Sequence, residues 1–94
     1  MPYMLIRHKV KDYTKWKSVF DAHKAMRNSG GEKTYQIFHT AANPKNLMLL
    51  FEWDNLENAR QFIKSKELRQ AMREAGVSDK PDFYFLEKGE QGSV

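Results

Sequence analysis

The stretch Leu47-Met48-Leu49-Leu50-Phe51-Glu52-Trp53 limits what this chain can become more than any other. It lies between two turn-forming clusters, Asn43-Pro44-Lys45-Asn46 and Asp54-Asn55, and reads as a strand. Successive side chains of a strand point to opposite faces. One face then carries Leu47, Leu49, Phe51 and Trp53, and the other carries Met48, Leu50 and Glu52. Near the C-terminus, Phe83 and Phe85 alternate with Tyr84 and Leu86 in the same two-sided way. A sheet built from such strands is apolar on both faces. Helices can cover one face; the other is expected to meet a second layer, because a large exposed apolar patch marks an interface, against the plainer reading of scattered surface hydrophobics. The uninterrupted apolar run Leu47–Phe51 is far too short to cross a membrane, so no membrane partner is expected.

The chain is 94 residues long and contains no cysteine. That length suits a single domain, residues 1–94, with residues 89–94 expected to fray. A domain of this size buries only about 60–65% of its unfolded surface, and no disulfide can reinforce it. A symmetric homodimer, two sheets closing face to face, would supply the missing layer. Sixteen basic residues are interspersed with twelve acidic ones, without a run of one sign. This pattern describes a solvated surface and not a nucleic-acid-binding face. No basic, apolar and cleavage-site series follows Met1-Pro2-Tyr3, so a cytoplasmic location is expected.

Tyr3–Val10 reads as the first strand. Asp12 offers an N-cap, after which Tyr13, Trp16, Val19, Phe20, His23, Met26 and Arg27 recur at helical spacing until Gly30-Gly31. Thr34–Thr40 reads as the second strand and Leu47–Trp53 as the third. Asp54 and Glu57 resemble a capping box opening a second helix, which should break near Ser65 and end at Gly76. After Lys80-Pro81, Asp82–Glu87 reads as the last strand. The order βαββαβ predicts an α+β, ferredoxin-like subunit with a four-stranded sheet and both helices on one face. The first and third strands are expected to lie parallel at its centre.

Three stretches carry a resemblance: Val10-Lys11-Asp12-Tyr13-Thr14-Lys15-Trp16, Phe51-Glu52-Trp53-Asp54-Asn55-Leu56-Glu57-Asn58-Ala59 and Ser65-Lys66-Glu67-Leu68-Arg69. With the element order, they make the chain similar to the dimeric α/β-barrel superfamily, which includes antibiotic-biosynthesis-monooxygenase-like proteins. The resemblance implies two subunits forming a barrel, each with a small cavity, and no cofactor. Members of that superfamily oxidise aromatic polyketides, cleave haem or isomerise lactones. Haem-cleaving members usually carry a histidine on the second helix, and none lies between Asn55 and Gly76 here. The resemblance therefore points to a small monooxygenase- or isomerase-like protein acting on an aromatic or carbonyl compound. A non-catalytic, ligand-binding or structural homodimer is the alternative.

Closing the hairpin symmetrically about Asn43-Pro44 places Tyr35 opposite Glu52. In-step parallel pairing places His8 near Glu52, with Tyr84 beside them. A histidine next to a carboxylate can act as a base, and a tyrosine can donate to a developing oxyanion. His8 and Glu52 are the catalytic candidates, against the plainer possibility of a hydrogen-bonded polar pair. His23, Tyr35, Tyr84, Trp16 and Arg27 are the substrate-binding candidates. A one-residue slip would undo the cluster. No ligand pair has a recognised metal-binding spacing, and the sequence holds no glycine-rich phosphate loop.

Overall fold

The computed structural model describes residues 1–94. The elements run β1 (Tyr3–Lys9), α1 (Tyr13–Ala22), α2 (Lys24–Gly30), β2 (Glu32–His39), β3 (Asn46–Trp53), α3 (Leu56–Lys64), α4 (Lys66–Glu74) and β4 (Asp82–Leu86). The single sheet has strand order β2-β3-β1-β4. No helix is long and apolar enough to cross a membrane. Residues 87–94 carry no secondary structure.

Every neighbouring pair in the sheet is antiparallel, including the central β1 and β3. The parallel arrangement expected for that pair is therefore wrong. A crossover through helices makes β2 parallel to β1, and the hairpin then turns β3 back between them. The central pair has to be antiparallel once both connections are counted.

The helix boundaries follow local chemistry. Asp12 caps α1 by accepting from the Thr14 and Lys15 amides. The helix predicted to continue to Gly30 is interrupted at His23, which separates α1 from α2. The break at Ser65 is present, and its hydroxyl accepts from the Leu68 amide to start α4. The capping box differs from expectation. Asn55, not Asp54, is the N-cap of α3 and accepts from the Asn58 amide, while Glu57 accepts from Gln61. The Asp54 carboxylate instead holds the Asn55 amide and the Asn58 side chain.

The helices cover the face that carries Met4, Ile6 and His8 of β1 and Leu47, Leu49, Phe51 and Trp53 of β3, all of them buried. Aromatic contacts join the two layers: Phe20 meets Phe51 with ring centroids 6.3 Å apart, and Trp53 meets Phe62 at 5.1 Å. The opposite face carries Leu5, Phe38, Met48, Leu50, Tyr84 and Leu86, and no element covers it. Phe38 and Tyr84 are half exposed and Leu86 is 41% exposed.

Gly31 joins α2 to β2 with φ +123°, a backbone region that side chains with a Cβ rarely adopt. A Cβ there would meet the Asp54 carboxylate, which Gly31 also anchors by accepting from the Asp54 amide with its own carbonyl. Gly31→Ala is expected to destabilise the fold by about 1–3 kcal/mol, measured as a lower urea midpoint at unchanged slope.

Candidate active site

Between α1, α2 and α4 and the helix-covered face of the sheet lies a cavity of about 50 Å³. Its walls are mostly apolar and include Ile6, Leu49, Phe51, Phe62, Leu68 and Met72. Three polar side chains reach it: His8, His23 and Arg27.

His8 comes from β1, between Ile6 and Val10, and its alternation with them turns it inward. It is 2% exposed, and neither ring nitrogen has a hydrogen-bond partner. Its ring meets Trp16 edge-on, with centroids 5.9 Å apart. Trp16 in turn stacks on Phe20 at 4.9 Å, and the Arg27 guanidinium lies 3.6 Å from the Phe20 ring centre. His8 and Arg27 thus stand at the two ends of one aromatic stack.

Arg27 is 4% exposed and paired with an equally buried acid. Its Nε donates to both Glu32 carboxylate oxygens, at 3.0 and 3.1 Å. Its Nη1 donates to the Phe20 carbonyl, and its Nη2 has no partner. A register shift between Glu32 and Thr34 makes the pair possible. It sets Glu32 opposite Trp53 and so turns it to the helix side. His23, at the break between α1 and α2, donates from Nδ1 to the Val19 carbonyl at 2.9 Å.

The predicted cluster is divided between the two faces. His8, Trp16, His23 and Arg27 gather at the cavity, and Tyr35 stands behind Phe20 in an edge contact at 5.1 Å. Glu52 and Tyr84 lie on the opposite face. His8 pairs with Leu47, and Glu52 pairs with Tyr3 at the far end of β1. The expected His8–Glu52 adjacency therefore fails, because β3 runs the other way. Tyr35 sits opposite Phe51, not Glu52. The hairpin centres on Asn43, where hydrogen bonds with Thr40 tighten the turn, and this one-residue slip moves Tyr35 to the helix side. Glu32 was missed. Its signal was Arg27 itself, since an arginine in an apolar helical stripe needs a buried acid nearby. No three His, Cys, Asp or Glu side chains converge as a metal site.

Burial pushes the His8 imidazole down to about 4; the Asp79 carboxylate acts against this and the Arg7 charge adds to it. His8 is thus neutral at pH 7, with one donor and one acceptor nitrogen facing an apolar space. Burial also raises the Glu32 carboxyl above its ordinary value, with the charge and hydrogen bonds of Arg27 opposing.

No family model matches the sequence, and no curated protein does. Solved structures do match. A Bordetella bronchiseptica protein provisionally named an antibiotic biosynthesis monooxygenase superposes with TM-score 0.80 at 10% identity, over 95% of this chain and 97% of its own. A variant of SnoaB, a cofactor-independent oxygenase from Streptomyces nogalater, gives 0.74 at 11% identity, over 96% and 94%. Rv0793 from Mycobacterium tuberculosis gives 0.66 at 12% identity, over 99% and 100%. The chain has the α+β, ferredoxin-like fold of the antibiotic-biosynthesis-monooxygenase-like proteins. At these identities the likeness is one of fold, and function rests on the site.

The pH dependence of stability tests the buried neutral His8. The unfolded chain protonates this residue in the ordinary histidine range, near pH 6.5, and the folded chain only near pH 4. The stability this contributes is complete above that range and is lost as pH falls through it, by about 3 kcal/mol in all. Glu32 has the opposite sign, because its raised value lets the folded chain bind a proton more readily than the unfolded one. Urea titrations at pH 7 and about pH 4.5 should therefore show His8→Phe losing less stability on acidification than the parent. Equal losses would mean that His8 is not held neutral.

Proposed function

We propose that this protein is a homodimer that performs cofactor-independent oxygenation or isomerisation of a small aromatic or carbonyl compound, inside the cavity under the helices. One observation carries the proposal. Both His8 nitrogens and Arg27 Nη2 are buried without partners around the same apolar space. A buried polar atom left unsatisfied costs about 1–3 kcal/mol. A guest with an acidic hydrogen at one end and an acceptor oxygen at the other would satisfy them.

Neutral His8 would accept the proton of a phenol or of a carbon next to a carbonyl. As negative charge grows on the guest, the imidazolium that forms beside it is favoured by that charge. Arg27 Nη2 would donate to the developing oxyanion, and dry apolar walls would strengthen that bond. Returning the proton to a different carbon completes an isomerisation. For oxygenation the co-reactant is dioxygen. An activated methylene and O₂ become a carbonyl and water, with one oxygen atom in each product and the two methylene hydrogens in the water. The likeness to SnoaB, itself named a cofactor-independent oxygenase, supports the oxygenase form.

The second subunit would cover the open sheet face, where Leu5, Met48, Leu50 and Tyr84 form an apolar surface. Glu52 shares that face and so takes no part in the chemistry proposed for His8. Light scattering is expected to give the mass of two chains for the parent, and of one chain for Leu50→Asp. A monomeric parent would refute the dimer.

The activity is tested with a panel of small phenols and enolisable carbonyl compounds. The readouts are oxygen uptake and products that gain one oxygen and lose two hydrogens, or keep their mass. His8→Gln is expected to lower kcat by about 10²-fold or more while leaving the dimer intact. Normal turnover in that variant would remove His8 from the mechanism. Retention of a guest on the native protein without conversion would favour a binding role.

A further inference from the structure

A cavity of about 50 Å³ is too small for the compounds proposed above. An apolar cavity that takes benzene has about 150 Å³. One of its walls must therefore move, and the structure distinguishes one wall from the rest. Leu68 and Met72 of α4 line the cavity on one side and, on the other, a surface groove between α4 and β4 of about 410 Å³. Leu68 is buried and packed into the core, whereas Met72 is half-buried. An unbranched thioether side chain with three rotatable bonds is well suited to swing aside.

The groove has its own chemistry. Ile63, Val77 and Phe83 contribute to its apolar lining, and Arg69 and Arg73 stand over it one helical turn apart. Both arginines are exposed, and neither has an ion-pair partner. The one acid that lines the groove, Asp79, is already engaged: its carboxylate accepts from Arg7 Nη2 at 3.0 Å and from the Lys9 amide at 2.8 Å. The groove is thus apolar beneath and cationic at its rim. The cavity behind it offers the unpartnered Arg27 Nη2 and a planar Trp16–Phe20 stack.

We propose that the α4–β4 groove is the vestibule of the cavity, that Met72 is the partition between them, and that the compound admitted is a small hydroxyaromatic carboxylate. The inference rests on the cavity being the reaction site and adds the route and the charge of the substrate. The carboxylate meets Arg69 and Arg73 first, the ring crosses the apolar lining as Met72 swings aside, and the guest settles between His8 and Arg27.

Stopped-flow fluorescence of the whole protein tests this, because Trp16 lines the cavity. The probes are 4-hydroxybenzoate and its neutral methyl ester. The acid is expected to associate about tenfold faster than the ester at low salt. That advantage should fade between about 0.01 and 1 M ionic strength. It should also vanish in the double variant Arg69→Gln/Arg73→Gln, with dissociation little changed. Met72→Ala should speed association and dissociation together, and Met72→Phe should slow both. The arginine variant alters only exposed side chains and so remains decisive if a Met72 variant fails to fold. If both probes bind but their rates ignore Arg69, Arg73 and Met72, the vestibule is refuted while the cavity reading stands. If neither probe changes the fluorescence at any concentration, the cavity reading falls and the vestibule falls with it.

Discussion

The buried ion pair between Arg27 and Glu32 holds the candidate site in place. The guanidinium binds the carboxylate of β2, the last turns of α1 through the Phe20 carbonyl, and the face of the Phe20 ring. A charge with so little water around it is tolerated only when paired and hydrogen-bonded. Removing one partner of such a pair costs about 3–5 kcal/mol, because the other is left charged in a poor solvent. The pair therefore sets where the first helical segment lies on the sheet. Phe20 then sets Trp16, and Trp16 bears on His8. The register shift at Glu32 belongs to the same device, since without it the carboxylate would face the other side of the sheet.

The structure leaves the same kind of debt in two places, with different chemistry. On the open sheet face the unsatisfied surface is apolar, and a second apolar surface relieves it without directional demands. In the cavity the unsatisfied atoms are polar and directional, and only a guest with matching donors and acceptors relieves them. The first is the ground for the proposed association with another copy of the chain. The second points to recognition of a small molecule. In the proposed function the two faces of one sheet carry separate tasks, with Glu52 and Tyr84 on one and His8 and Tyr35 on the other.

The strands, the caps at Asp12 and Ser65, and the element order were legible along the chain, because each depends on neighbours a few residues apart. The helix break at His23 was not legible. Nothing in its local pattern differs from an ordinary amphipathic turn. The candidate site was half legible. His8, Trp16, His23 and Arg27 were recognisable as candidates, but the face they share was left open and their company was misjudged. Reversing the direction of β3 carried Glu52 to the far end of the sheet, and a one-residue slip of the hairpin register put Tyr35 on the other face.

The sequence by itself determined the class of fold and raised the expectation of a covering layer. Hydrophobic period and turn chemistry are local, and a strand apolar on both sides marks the face the helices leave open as an interface. Only the tertiary structure decided which polar groups meet. Side-chain facing has a period of two, so a single residue of register, or the sense of one strand, reassigns every contact. The same holds for the pairing of Arg27 with Glu32 and for the two partnerless nitrogens of His8. Burial and the lack of a partner belong to the packed molecule and have no counterpart in the order of residues.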